Sequence, residues 1–458
     1  MKPKHIPPLE PQFLPAVLAN HTYLKDIKES CEAIPLVISL ERGNDSISRY
    51  ETLVSTSDIV WVNRSKQHLE RLIKFLLWSH GAKRIYIGGS KALGELIQQA
   101  YMPDGSRCFD YDCMTRIYGS AFEVNNCGLD EAPFEHEANQ SIGGNLDGYR
   151  VGFDLGATDL KVSAVANGEA IFSAEIEWNP SDNLDPEYHR TYIREAIILA
   201  ASKLPRLDAI GGSSAGVYVN NQPRIASIFR RVPEDQYARV NQMFDHLAEE
   251  FGVPLYVIND GEVTALAGAM SLGVNGVVGI ALGSSEAGGY VNRQGNISDH
   301  LDELAFAPID YNPNAARDEW SQDRGVGVSY LSQTAVFRLS QNAGLNIPQG
   351  VSVGEQLKYF QELLESGDKG ARQIWESMGI YLGYALAHYA DFYDFDHVML
   401  LGRCTSGVGG SILMHKAQIV LQDEFPGLME KVNLQLPDER NRRVGQAIAA
   451  ASLPELLR

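Results

Sequence analysis

Cysteine and unbroken apolar sequence are both scarce in this chain. Five cysteines occur among 458 residues, at Cys31, Cys108, Cys113, Cys127 and Cys404. An odd number at irregular spacing does not make a disulfide framework. Cys108 and Cys113 could bridge or share a metal, but no histidine or second cysteine pair flanks them at zinc spacing, so reduced thiols are expected. No apolar run is long enough to cross a bilayer, and the first eleven residues hold no apolar segment of signal-peptide length. The cytoplasm is therefore the expected compartment. Basic residues are in deficit as well: 39 Lys and Arg stand against 58 Asp and Glu, a net charge of −19. Such a surface repels nucleic acid and anionic lipid, so neither is expected as a partner.

What is present is enough length for two or three domains. Residues 1–30 are proline-rich and then polar, and read as an arm. Residues 31–125 read as a small α/β unit of unknown role. Its expected elements are strands at Leu36–Leu40, Asp58–Val62 and Arg84–Ile87, and helices at Ser65–Trp78 and Lys91–Tyr101. In the first helix Leu69, Leu72, Ile73, Leu76 and Leu77 fall on one face. Residues 126–148, rich in Asn, Gly and acids, read as a linker.

From Tyr149 the pattern changes. Three strands in a meander (Tyr149–Phe153, Lys161–Ala166, Ala170–Glu177) precede a helix at Glu187–Leu204. A strand at Asp208–Gly212, a helix at Asp235–Phe251, a strand at Leu255–Ile258 and an Ala-rich helix at Glu262–Leu272 follow. A second hairpin, Gly276–Leu282 with Gly288–Arg293, then opens another such series. Helices are expected at Val328–Ser340, Val353–Ser366 and Ala371–Ala390. A strand at His397–Leu401, a helix at Gly407–Leu421, a strand at Val432–Leu436 and a helix at Arg443–Ala451 complete it. The repeated pattern gives two lobes, 149–272 and 273–458, facing a cleft, with the last helix free to return to the first lobe. Ligands of such sheets sit at strand ends.

Three motifs carry chemistry. Asp154-Leu155-Gly156-Ala157-Thr158-Asp159-Leu160-Lys161 lies between two expected strands. A turn without bulk lets phosphate approach the backbone, Thr158 adds a hydroxyl, Lys161 a cation, and Asp154 a carboxylate able to hold a metal through water. A plain polar hairpin would look much the same. Gly283-Ser284-Ser285-Glu286-Ala287-Gly288-Gly289 repeats the device at the head of the second lobe. Asn259-Asp260 sits between a strand and a helix, where such residues commonly cap; the alternative is a general base at Asp260, with Asn259 orienting an acceptor.

In this order the motifs resemble those of ROK sugar kinases in the hexokinase and actin-like ATPase superfamily. Asp154 to Lys161 is similar to their first phosphate motif, Val257-Ile258-Asn259-Asp260-Gly261 to the block with the catalytic Asp, and Gly279 to Gly289 to the second phosphate block. Val398-Met399-Leu400-Leu401-Gly402 is similar to the adenosine block. The resemblance spans about 149–458. It implies a duplicated ribonuclease-H-like two-lobe α/β fold and transfer of phosphate from ATP to a hydroxyl of a hexose or hexose derivative. It further implies Asp260 as base, Asn259 and Glu303 at the sugar, and Asp154, Gly156, Thr158, Lys161, Gly283, Ser284 and Gly402 along the ATP path. Mg²⁺ would be met by Asp154 through water. Dimers are common in that family, so a homodimer fits.

The chain also departs from the family. Where members carry Glu-x-Gly-His and then a cysteine-rich zinc loop, this chain has Glu303-Leu304-Ala305-Phe306, and 310–329 has no cysteine. The resemblance therefore implies a divergent member without the zinc motif. Ser285 replaces a usual glycine, and Arg403-Cys404 follow Gly402. These changes permit altered specificity, a non-sugar acceptor, or a non-catalytic sugar- or nucleotide-binding regulator. The unit 31–125 lacks the basic helix-turn-helix of ROK repressors, and is expected to pack on the lobes or to make a subunit contact.

Overall fold

A computed structural model of the chain describes residues 2–456, apart from Cys31, Asn44, Asp45, 138–141, Ala157, Pro437 and Asp438. Ala157 of the first turn, and part of the expected linker, lie outside the described residues.

The N-terminal third begins with α1 (Ala16–Ser30), inside the stretch read as an arm. It continues with β1 (Ile34–Glu41), β2 (Ile47–Val54), α2 (Ile59–Ser79), β3 (Arg84–Gly88), α3 (Lys91–Ala100), α4 (Cys108–Tyr118) and β4 (Glu123–Cys127). The sheet order is β2-β1-β3-β4, antiparallel except for the β3–β4 pair. Asp58–Val62, expected as a strand, is instead the start of α2. Asp58 caps the helix by accepting the Trp61 N–H at 2.9 Å, and the β-branched Ile59 and Val60 sit exposed in the first turn. Four of the five cysteines are described, and all four are free thiols.

The next third holds β5 (Tyr149–Leu155), β6 (Asp159–Ala166), β7 (Glu169–Glu177), α5 (Pro186–Ala201), β8 (Ala209–Ser214), and the hairpin β9 (Val217–Val219) and β10 (Gln222–Ile225). It ends with α6 (Tyr237–Asn241), α7 (Met243–Phe251), β11 (Leu255–Asn259) and α8 (Asp260–Leu272). The expected single helix 235–251 is broken in two at Gln242. The sheet runs β11-β8-β5-β6-β7, with β5, β8 and β11 parallel. The last third comprises β12 (Val277–Leu282), β13 (Glu286–Val291), α9 (Gln333–Asn342), α10 (Val353–Glu365) and α11 (Lys369–Tyr389). It closes with β14 (His397–Leu401), α12 (Val408–Glu424), α13 (Pro426–Met429), β15 (Asn433–Gln435) and α14 (Glu439–Ala451). Its sheet, β13-β12-β14-β15, repeats the first lobe's order without the third meander strand. Helix α9 starts at Gln333, after Ser332 caps it, and not at Val328. Helix α14 packs back on β5, β8 and α8.

Two main cores result. Val151, Phe153, Val162, Ile193, Phe244 and Val257 centre one core within the first lobe. The other is continuous from the N-terminal sheet and α2 (Leu36, Ile38, Leu72, Phe75, Trp78) through α11 to the second-lobe sheet (Ile280, Leu400). The N-terminal unit is thus built into the second lobe, as one of the two expectations had it. Residues 9–16 are laced to the same lobe. The Ala16 N–H donates to the Ile309 carbonyl, the Tyr311 N–H donates to the Leu14 carbonyl, and Tyr381 donates its hydroxyl to Glu10.

Candidate active site

The first turn, 156–158, joins β5 to β6. The Gly156 N–H donates to the Asp159 carbonyl at 2.9 Å, closing the hairpin. Trp178 braces it from behind, its indole donating to the Gly156 carbonyl and its backbone N–H to that of Thr158. Thr158 is left exposed at the tip. Lys161 reaches back to Asp154 at 3.8 Å and Asp159 at 3.6 Å. Burial raises the Asp154 carboxyl above its ordinary range, against the pull of Lys161 and of the neighbouring Ser213 hydroxyl. That hydroxyl is buried beside the carboxyl.

The second turn, 283–285, joins β12 to β13. The Gly283 N–H donates to the Ser285 carbonyl, and Ser284 and Ser285 are exposed at the tip. Gly402 lies against the base of this turn with φ +93°. A Cβ there would meet the Leu282 carbonyl oxygen at 2.3 Å, so glycine alone allows β14 and the turn to come together. Cys404, the bulk expected near the adenosine block, is buried in the core beside Trp375, whose indole donates to the Cys404 carbonyl; Arg403 is exposed.

Between the turns, Asp260 is the first residue of α8. Asn259 caps the helix, its amide oxygen accepting the Gly261 N–H at 2.6 Å while Glu262 returns to the Asn259 N–H at 3.2 Å. The Asn259 amide donates to the Gly216 carbonyl at 2.7 Å and to Glu303 at 3.4 Å. Both ends of Asn259 are therefore spent on the protein, and any orienting of an acceptor passes through Glu303. The glycines of the second block have a task the sequence did not announce. A Cβ on Gly289 would lie 2.1 Å from the Gly261 carbonyl oxygen, and one on Gly261 would lie 2.0 Å from that of Gly288. This backbone-to-backbone approach seats the start of α8 against β13, and so sets Asp260 on the boundary between the lobes.

The cleft concentrates carboxylates. Burial and the charge of Asp154 push Asp260 up to about 6. Burial, then Asp260 and Asp302, push Glu303 to about 8. Burial also raises Asp302 to about 6, opposed by His300 and by the Tyr393 hydroxyl donating at 2.7 Å. Crowded acids at low solvation favour the protonated form of some members, the arrangement that poises a base near neutrality. Among the described residues no three His, Cys, Asp or Glu are grouped to hold a metal ion. Asp154 beside the buried Ser213 hydroxyl suits a hydrated ion carried mostly by phosphate oxygens and water, the usual manner of Mg²⁺.

Phe306 is not in the cleft. It is buried, its ring 4.5 Å from that of Trp78 and 5.2 Å from that of Trp320, with Phe109 at 5.7 Å. The following loop is held by Asp323, which accepts from Arg107 at 2.7 Å and from Arg71 and Lys74 at 3.2 Å. Lys74 is also bonded to the buried Asp110 at 2.6 Å. All three cations belong to the N-terminal unit, and they hold the Asp323 carboxyl well below the usual range against burial. Sequence reasoning missed this contact because its partners are 216 and more positions apart. It also missed Ser213 and Gly216, for which the run Gly211-Gly212-Ser213-Ser214-Ala215-Gly216 at a strand end was the available signal.

Comparison with solved structures bears on this arrangement. A ROK hexokinase from Thermus thermophilus matches with a TM-score of 0.52 at 18% identity, over 66% of this chain and 97% of that one. A ROK family transcriptional regulator, a homolog of the E. coli MLC protein, matches at 0.51 and 18%, over 67% and 79%. The fold is that of the ROK proteins. A ROK family protein from Streptococcus pneumoniae, solved with sucrose, matches at 0.50 and 11%, over 66% and 96%. No family model matches the chain, and no curated protein does. On this fold Gly402 lies against the base of the second turn, and Asp260 lies within the fields of Asp154 and Glu303. No helix among the described residues is long and apolar enough to cross a membrane.

Proposed function

We propose that the chain is an ATP-dependent kinase that phosphorylates a hydroxyl of a hexose or hexose derivative. The observation that carries this reading is the placement of Asp260 at the lobe boundary, next to Glu303 and within the field of Asp154. MgATP, when bound, supplies the transferable phosphoryl group. Gly156 and Thr158 of the first turn with Lys161 of β6, and Gly283 and Ser284 of the second turn with Gly402 at its base, would receive its phosphates, with Asp154 in the metal's water shell. Glu303, held by the Asn259 amide, would hydrogen-bond the acceptor. Asp260, near pH 6 on the scale of its own ionisation, is mostly carboxylate at neutral pH and would take the proton of the attacking hydroxyl. The protein's contribution is positioning and charge stabilisation, as in phosphoryl transfer generally.

The test is ADP release from MgATP against a panel of hexoses, amino sugars and polyols. Acceptor-dependent release should fall about 10²–10⁴-fold in Asp260→Asn. A variant with near-normal turnover removes Asp260 from this role. A second reading, a non-catalytic sugar- or nucleotide-binding regulator, draws support from Phe306 lying in a packing cluster, away from the cleft. Binding of ATP or sugar without ADP release from any acceptor would favour it.

A further inference from the structure

Away from the cleft, a cavity of about 390 Å³ lies where the N-terminal sheet, the end of α2, the loop after β13 and the end of α11 meet. That volume suits a small ligand. Its walls include the rings of Tyr50 and Phe392, which stack at 5.2 Å. Two polar atoms there are unused. The His300 side chain is 7% exposed and its Nε2 bonds to Glu137 at 3.3 Å, yet its Nδ1 has no partner among the described residues; neither has the buried Ser298 hydroxyl. Buried polar atoms without partners are uncommon in folded proteins and mark places where something else supplies the bond.

The cavity's cations are already taken. Arg293 donates to Asp394 and Asp396, and Arg49 donates to Glu51 and to the carbonyls of Ala132 and Pro133. What remains is a mixture of donors and acceptors beside aromatic faces: an imidazole nitrogen, a hydroxyl, and the side chains of Gln294 and Glu135. Such a set recognises hydroxyl groups, each of which donates once and accepts twice.

The same wall is tied to the active-site segment. The Leu301 N–H donates to the His80 carbonyl, and the Asp302 N–H to that of Ser79 at 2.8 Å. Tyr393, which lines the cavity, donates its hydroxyl to Asp302 at 2.7 Å. Glu303 is the next residue, on the opposite side of the segment, against Asn259.

We propose that this cavity is a second binding site, for a neutral polyhydroxylated molecule of monosaccharide size, and that its occupancy is transmitted to Glu303 through residues 300–303. Binding here is independent of whether the cleft phosphorylates anything; only the consequence for turnover rests on the kinase reading.

The test uses the full chain and saturation-transfer NMR with neutral hexoses, N-acetylhexosamines and hexitols. At least one should bind to Asn259→Ala/Glu303→Ala, in which the cleft's acceptor contacts are removed. Its affinity should weaken tenfold or more in Ser298→Val/Glu135→Ala. Should Ser298→Val fail to fold, Glu135→Ala alone, a change at an exposed residue, carries the comparison. Bound ligand should slow deuterium exchange at 300–303 in the wild type. Absence of any panel member whose binding depends on Glu135 or Ser298 overturns the site. Unchanged exchange at 300–303 with ligand bound overturns the coupling. Absence of ADP release from the wild type, with binding at this site intact, would count against the kinase reading and leave this site standing.

Discussion

The two lobes share a strand order but not a way of being held together. The first lobe closes its own core around β5, β6, β8 and α5. The second shares its core with the N-terminal unit, whose Trp78 and Phe109 pack on Phe306 and whose Lys74, Arg71 and Arg107 converge on Asp323. The first therefore draws its core from residues 151–257, while the second uses chain from far upstream to fix 301–330, the stretch that carries Glu303. Residues 310–329, which hold no cysteine, are anchored by aromatic packing and ion pairs.

The sharpest way to break that contrast is Asp323→Ala. It leaves three cations around a buried site with one carboxylate, Asp110, between them. Losing one partner of a buried network costs about 3–5 kcal/mol. Calorimetry should show the second lobe and the N-terminal unit melting earlier together while the first lobe's transition stays put. A single transition that drops as a whole would show the lobes to be one cooperative unit.

A smaller effect, of opposite sign, is expected at the lobe boundary. Asp260 has its carboxyl raised to about 6, above the ordinary 3.8, so its ionisation in the folded state opposes folding. The protonated form is stabilising, and that contribution is full below pH 4 and lost as pH rises toward 6. Asp260→Asn should therefore raise the melting temperature at pH 7.5, by a gain on the order of 1–3 kcal/mol, while lowering turnover. The gain should vanish near pH 4. Turnover of the wild type should climb with pH through about 6 as the base ionises. A melting temperature lowered by the variant at both pH values would mean that Asp260 is a structural cap.

The smallest effect is expected from a chelator. Incubation with EDTA should leave the melting curve within error of the untreated protein, because Asp323 and its three cations anchor the 310–329 loop. Earlier melting of the second lobe alone would show a metal in that lobe and undo the comparison.

Most strands and helices from 149 onward were legible because period-2 and period-3.6 patterns are local. Failures came where a local signal was overruled. Ile59-Val60 suggested a strand, but the Asp58 cap decided for helix. Helix α1 was missed in a polar stretch that is helical because it lies on α11. In the site, Asp154, Asp260 and the two turns were legible as strand-end residues. Ser213, the commitment of Asn259 to Gly216 and Glu303, and the displacement of Phe306 from the cleft depend on distant partners and were not.

The sequence by itself determined the alternation of strands and helices from Tyr149, the small-residue turns at Gly156 and Gly283, and the Asn259-Asp260 step, since each follows from residue type and spacing within a few positions. Only the tertiary structure decided that α2 and α4 would fill the face of Phe306, that Gly261 and Gly289 would press α8 against β13, and that Asp260 would raise the Glu303 carboxyl. Those outcomes come from close packing and low solvation between segments far apart in the chain, and no local pattern encodes them.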